Sequence, residues 1–156
     1  MDAQERTALI AAYEAGPAEV DKALTDIGRE AFDRRPADGS WSAREIGHHL
    51  ADSEMRSAIR LRRLLTEDNP VILGYDEAGY ASAFRYADRA MEPALAAFRA
   101  SRSTTSQILH QLDDAAFART GTHSESGSYG VEHWLRIYAT HAHEHADQIR
   151  RAGAGE

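Results

Sequence analysis

The chain has no cysteine. That excludes a disulfide framework, a thiolate metal site and a cysteine nucleophile. It suits a cytoplasmic protein, the location expected here, although a thiol-free chain tolerates any redox poise. No apolar run approaches the roughly 20 residues of a membrane span, so no membrane partner is expected. Met1 to Glu5 are polar and acidic and do not read as a signal or transit peptide. A basic surplus is missing as well. The net charge of -7 argues against nucleic acid as a main partner, because phosphate binding needs a basic surface. There is no internal repeat at a solenoid period and no low-complexity tract. No Ser-His-Asp order, glycine-rich phosphate loop or paired-carboxylate pattern rises above chance. What is left is a soluble globular chain of 156 residues, 42% of them hydrophobic. It reads as a single domain over 1–156, large enough to bury a core.

The hydrophobic pattern is helical nearly throughout. Leu9 or Ile10, Tyr13, Val20, Leu24 and Ile27 keep spacings of three, four or seven, so one stripe runs through Gly16-Pro17. This predicts a single first helix, bent at the proline and ended by Gly28. Asp33 to Gly39 reads as loop. The second helix has the clearest start: Ser42 and Glu45 form a capping box, and Trp41 and Ile46 are placed as a hydrophobic staple. Trp41 is therefore read as structural. The helix continues to about Glu67, where Asn69-Pro70 stops it. Gly74 and a short amphipathic piece around Tyr80 to Tyr86 follow. Helix three starts near Arg89 with Pro93 in its first turn, and Met91, Leu95, Phe98, Thr105, Leu109 and Leu112 form its inward stripe. Thr120 to Gly130 is rich in turn formers and reads as a long working loop. The last helix runs from about Val131 to Ala152. Arg56, Arg60, Arg62 and Arg63, with Glu54 and Glu67 nearby, read as a solvated, salt-bridged face. The fold class expected is all-α, a four-helix bundle. Periodicity leaves up-down and crossover topologies open.

The histidines are the informative residues. A helix advances about 100° per residue, so phase can be read directly. In the second helix the apolar centre passes through Ile46, Leu50, Ser53, Ser57, Leu61 and Leu64. His49 lies about 60° from that centre and His48 about 160° away, on the wet side. In the last helix the centre passes through Val131, Trp134, Tyr138 and Ile149. His141 and His145 fall within about 40° of it, while His143 points nearly opposite. A lone inward histidine is more often a satisfied core residue than a ligand. An inward pair four residues apart, with a third inward histidine on another helix, favours a shared metal ion, because three buried imidazoles without partners are costly. His110, His123 and His133 read as surface or loop residues, with His123 in the loop that could cover a site.

Three neutral imidazoles without a thiolate suit a divalent transition metal, zinc or nickel foremost, with iron or manganese also compatible. Three protein ligands leave a coordination position open, the arrangement of catalytic rather than structural zinc sites. Such an ion activates water, polarises a substrate oxygen or activates a thiol. Asp52, one turn from His49, and Gln148, one turn beyond His145, are the candidates to hold the ligands' outer nitrogens, and Asp52 is also the candidate base. Glu45 is already explained by capping.

At these residues the chain resembles the DinB/YfiT-like superfamily of bacterial metal-binding four-helix bundles, not to be confused with the DNA polymerase sharing the DinB name. The resemblance rests on Trp41-Ser42-x-x-Glu45-x-x-x-His49-Leu50-Ala51-Asp52-x-Glu54 and on His141-x-x-x-His145-x-x-Gln148-Ile149. It implies a metal held by the same three histidines, with water completing the shell. Family members often carry another histidine just before the final ligand; here Glu144 stands there, which leaves the ligand set intact and alters charge near the pocket. The resemblance also implies homodimers, members named hydrolases, and thiol-dependent S-transferases and isomerases using bacillithiol, mycothiol or glutathione.

The expectation is thus a metal-dependent enzyme acting on a small-molecule substrate. It is either a hydrolase or an S-transferase that activates a low-molecular-weight thiol, and the lack of a base beyond Asp52 leans toward the thiol. The rivals are a non-catalytic metal-binding stress-response module and a plain helical bundle without metal.

Overall fold

A computed structural model describes residues 1–156. The first helix, α1, spans Ala3–Ile27 and begins earlier than its apolar stripe, because Asp2 caps it by accepting from the Glu5 amide at 2.8 Å. It passes through Pro17 without interruption. Helix α2, Ala43–Thr66, starts on the expected capping box: the Ser42 amide donates to Glu45 Oε2 at 2.9 Å, and Ser42 Oγ accepts from the Glu45 amide. The Arg35 guanidinium pairs with the other Glu45 oxygen. The remaining long helices are α4, Met91–Leu109, and α6, Val131–Ala154; short helices α3, Glu77–Ala83, and α5, Asp114–Phe117, lie in the connections.

The four long helices pack as a bundle, α1 chiefly against α6 and α2 chiefly against α4, with α2 also touching α6. Gly16 is what lets α1 approach its neighbours: a Cβ there would lie 2.2 Å from Arg102 Nη1 and 2.7 Å from Ala142 Cβ. The interior divides into two apolar clusters. One gathers Val20, Leu24, Ile46, Leu50, Phe98 and Ile149, and the other Ile10, Tyr13, Leu61, Leu64, Trp134 and Tyr138.

Three sequence readings need correction. Thr120 to Gly130 is a β-hairpin rather than a loop: β2, Thr120–His123, pairs antiparallel with β3, Gly127–Gly130, and β1, Val71–Ile72, joins β2 in parallel. Gly127 turns the chain at φ 80°, a conformation glycine adopts without a Cβ clash. Strands of four residues among turn formers carry too little alternation to register.

The arginines of α2 are not a salt-bridged solvent face. Of Arg56, Arg60, Arg62 and Arg63, only Arg63 pairs with an acid, Glu67 at 2.7 Å. Arg56 and Arg60 reach Tyr80 Oη and Tyr138 Oη, and Arg62 reaches the hydroxyls of Thr104 and Thr105.

Glu54, grouped with those arginines by sequence, is instead fully buried against Arg102 at 3.0 Å. Arg102 also donates to the carbonyls of Tyr13 and Tyr138, and Tyr13 Oη donates to Glu54. This polar layer falls between the two apolar clusters along α2 and α4. Every partner in it is satisfied, which a buried charge requires.

Candidate metal centre

His49 stands on α2 just past the capping box, and His141 and His145 stand one turn apart on α6. One ligand atom from each lies within 4.8 Å of the other two. Ring centroids are 4.5 Å apart for His141 and His145, 4.7 Å for His49 and His145, and 5.5 Å for His49 and His141. The helical phase therefore selected three rings that the fold does bring together.

The nitrogens are prepared for a cation. His145 Nδ1 donates to Gln148 Oε1 at 2.7 Å. With the proton on Nδ1, the neutral ring turns the lone pair of Nε2 inward. That Nε2 faces His141 Nε2 at 3.2 Å. His49 is 1% exposed, and its Nδ1 is buried without a hydrogen-bond partner. Trp41 lies against the His49 ring, centroids 5.0 Å apart, and Tyr138 against His141. Trp41 thus packs as a structural residue, and the ring it packs on is a candidate ligand.

Burial pushes His49 down to about 3, with the charge of His145 adding to the effect. It takes His141 well below the usual range and lowers His145 despite the Gln148 hydrogen bond, which acts the other way. All three rings are neutral at pH 7, so their lone pairs are free for a Lewis acid. An orphaned buried nitrogen, two opposed Nε2 atoms and no competing ammonium or guanidinium partner form a donor set that fits a divalent transition ion.

The other candidates fall elsewhere. Gln148 accepts from His145 Nδ1. Asp52 does not support His49: it accepts from Tyr86 Oη and has no hydrogen bond to any of the three imidazoles. His48 is not on the wet side but 2% exposed, stacked on Tyr86 and 3.3 Å from the Arg89 carbonyl. The turn Tyr86–Asp88 covers that face of α2, which no helical wheel can register. His143 turns away to the Ala12 carbonyl at 2.9 Å, and His110 meets Glu14 at the surface.

His123 and His133, read as surface or loop residues with His123 in a segment that could cover a site, line a cavity that also has His141 in its wall. Sequence missed the rest of that wall, Arg60, Tyr75, Glu77 and Tyr129 among it. These residues come from separate segments that share no period. The larger cleft of the molecule, about 530 Å3 between α1 and α4, holds none of the histidines.

Fold and site together define a class: a four-helix bundle with three neutral histidines converging from its second and last long helices. The DinB superfamily model matches residues 12–149, and the chain belongs to that superfamily. A protein of Oceanobacillus iheyensis named "Putative metal-dependent hydrolase" is 36% identical over 126 residues, covering 81% of this chain and 73% of its own. YfiT of Bacillus subtilis, named in the same way, is 29% identical over 147 residues, covering 94% of this chain and 83% of its own. The solved structure of YfiT superposes with a TM-score of 0.90 at 28% identity, over 99% of this chain and 89% of that one. It is described as a "probable metal-dependent hydrolase with an unusual four-helix bundle topology".

Proposed function

We propose that His49, His141 and His145 hold one divalent transition ion and that the chain is a metal-dependent enzyme acting on a small molecule. The observation that carries this reading is the convergence of one buried and two half-buried imidazoles, a ligand atom of each within 4.8 Å of the others, with one nitrogen left unpartnered. Zinc or nickel heads the order of fit, followed by iron or manganese, because the donors are all imidazole nitrogens.

Bound there, a divalent ion supplies Lewis acidity, lowering the pKa of a coordinated water or thiol and leaving at least one position for substrate. The protein's own part is to orient and to dry the site. Gln148 sets the His145 tautomer, Trp41 and Tyr138 pack the His49 and His141 rings, and the bundle excludes solvent from His49.

Hydrolysis is the reading that agrees with the names of the relatives. Thiol activation is favoured by a separate observation: Asp52, the acid that sequence offered as a base, is engaged by Tyr86. A thiol would need no such base, because a metal held by the three histidines would lower its pKa enough for the proton to pass to solvent water. The family likeness also carries a homodimer into the proposal, and the cysteine-free composition a cytoplasmic location, which light scattering and cell fractionation would read.

The first test is elemental analysis of protein purified without chelators. The expected result is close to one transition metal per chain, lost in His141→Ala and His145→Ala and kept in His143→Ala. Unchanged metal in the first two variants rejects the site. The metal-loaded protein is then offered esters, amides, and thiols with monochlorobimane. Turnover that vanishes in His49→Ala supports the enzyme, and inertness toward all of them favours a non-catalytic metal-binding module.

A further inference from the structure

The cavity of about 230 Å3 beside the histidine cluster shares His141 with it. Its walls come from α2 through Ser53 and Arg60, from α6 through His133, Tyr138 and His141, and from the hairpin through His123 and Tyr129. Tyr75 and Glu77 close it from the lead-in and first turn of α3. Asp52, the acid that sequence offered as a base, takes no part in this wall. Glu77 is the one carboxylate that does.

The fold gives that carboxylate no other task. Helix α3 is capped by the neighbouring Asp76, which accepts from the Gly79 amide at 2.9 Å. None of the chain's ion pairs includes Glu77. The Arg60 guanidinium lines the same cavity but is pinned elsewhere: its Nη1 donates to Tyr138 Oη at 3.0 Å and its Nη2 to the Leu73 carbonyl at 2.6 Å. Glu77 is exposed, which places it at the cavity mouth, within reach of water and substrate. Burial against the wall raises its pKa, and the Arg60 charge acts the other way. The net result is a carboxyl that holds a proton more readily than an ordinary glutamate, as proton transfer near neutral pH requires.

The other proton acceptors in the wall are more constrained. His123 Nδ1 accepts from the Glu125 amide at 3.3 Å, and its ring lies against Tyr129 with centroids 5.4 Å apart. Burial and the Arg60 charge push His123 down. His133 packs on the same Tyr129 at 5.1 Å. Burial pushes Tyr75, Tyr129 and Tyr138 up, so these hydroxyls stay protonated.

We propose that Glu77 is the acid–base residue of the metal centre, taking a proton across this cavity from the water that attacks an ester or amide carbonyl. As the water oxygen bonds to the carbonyl carbon, one of its protons passes to the Glu77 carboxylate. When the bond to the leaving oxygen or nitrogen breaks, that proton passes on to the leaving atom. The carboxylate is restored, and an acid and an alcohol or amine depart. The proposal rests on reading the three histidines as a metal centre, and it gives the hydrolytic form of that reading the base that Asp52 does not supply.

Two measurements on the full chain test it. In carbon-13 spectra of carboxyl-labelled protein, the Glu77 signal is the one missing from Glu77→Gln. Its titration midpoint should fall by about half a pH unit or more when zinc is added, because a cation across the cavity favours the carboxylate. With zinc-loaded protein and p-nitrophenyl acetate, Glu77→Gln should lower kcat about 100-fold, while KM, zinc content and Tm stay close to wild type. Wild-type kcat/KM should rise with pH through the Glu77 midpoint, since a base works deprotonated, and that limb should vanish in Glu77→Gln. A merely structural carboxylate would not move the pH profile.

Zinc that binds without moving the Glu77 midpoint overturns the role of Glu77 and leaves the metal centre standing. So does turnover that survives Glu77→Gln, or that is lost instead in His123→Gln or His133→Gln. An ester left intact by the zinc-loaded wild type overturns the base even where the midpoint moves. If zinc fails to bind at all, the metal reading falls and the proposal falls with it.

Discussion

His145 illustrates how one side chain is set before any ligand arrives. Its Nδ1 proton goes to Gln148, three residues on, and this fixes which nitrogen faces His141. Gln148 is therefore a positioning residue, and truncating it releases both tautomer and ring angle. Gln148→Ala should weaken metal binding by about 10- to 100-fold, the range for residues that orient metal-binding histidines. Competition against a chromophoric chelator reads this directly, and a loss smaller than about threefold would separate Gln148 from the site. His49 has no such helper, since neither of its ring nitrogens meets a hydrogen-bonding side chain. Its orientation comes from packing against Trp41 instead.

At the scale of the element, α2 carries its histidine on a well-determined start. Ser42 and Glu45 exchange hydrogen bonds, and Arg35 holds the second Glu45 oxygen. Ser42→Ala should cost about 1 kcal/mol, seen as a lower urea midpoint with an unchanged slope. The capping box was legible because it depends on residues three apart along one segment. The hairpin of β2 and β3 was not, since its four-residue strands carry too little alternation and the β1 strand beside it joins Val71 to Thr122 across the chain. His48 was misplaced for the same reason: its helical phase is correctly outward from the bundle core, but Tyr86 and the Arg89 carbonyl come from another segment to cover it.

For the molecule as a whole, burial of the three imidazoles couples the site to stability. In the metal-free protein His49 titrates near 3 when folded and near its ordinary value of 6.5 when unfolded. The folded value is the lower one, so between those values the unfolded chain binds more protons. Stability is then fully present above the unfolded value and falls as pH drops toward the folded one. The loss is about 1.4 kcal/mol per pH unit for each histidine kept neutral, once pH is well below the unfolded value. Thermal melts of chelator-treated protein should therefore fall from pH 7 to 5, with the metal-loaded form melting higher at pH 7. A metal-free melt that is flat over this range would mean that the rings are not held neutral. The layer of Glu54, Arg102 and Tyr13 crosses the bundle between its two apolar clusters and ties α1, α2, α4 and α6 together. Arg102 lies one turn beyond Phe98, and its charge is tolerated inside because Glu54 and the carbonyls of Tyr13 and Tyr138 accept from it.

The sequence by itself determined the four long helices, the capping box of α2 and the inward phase of His49, His141 and His145. Each of these follows from a period of 3.6 residues or from contacts within one turn. Tertiary structure alone decided the cavity of Arg60, Tyr75, Glu77 and Tyr129, the burial of Glu54 and His48, and the release of Asp52 to Tyr86. These depend on residues that meet only when distant segments pack, and no local repeat in the chain encodes such meetings.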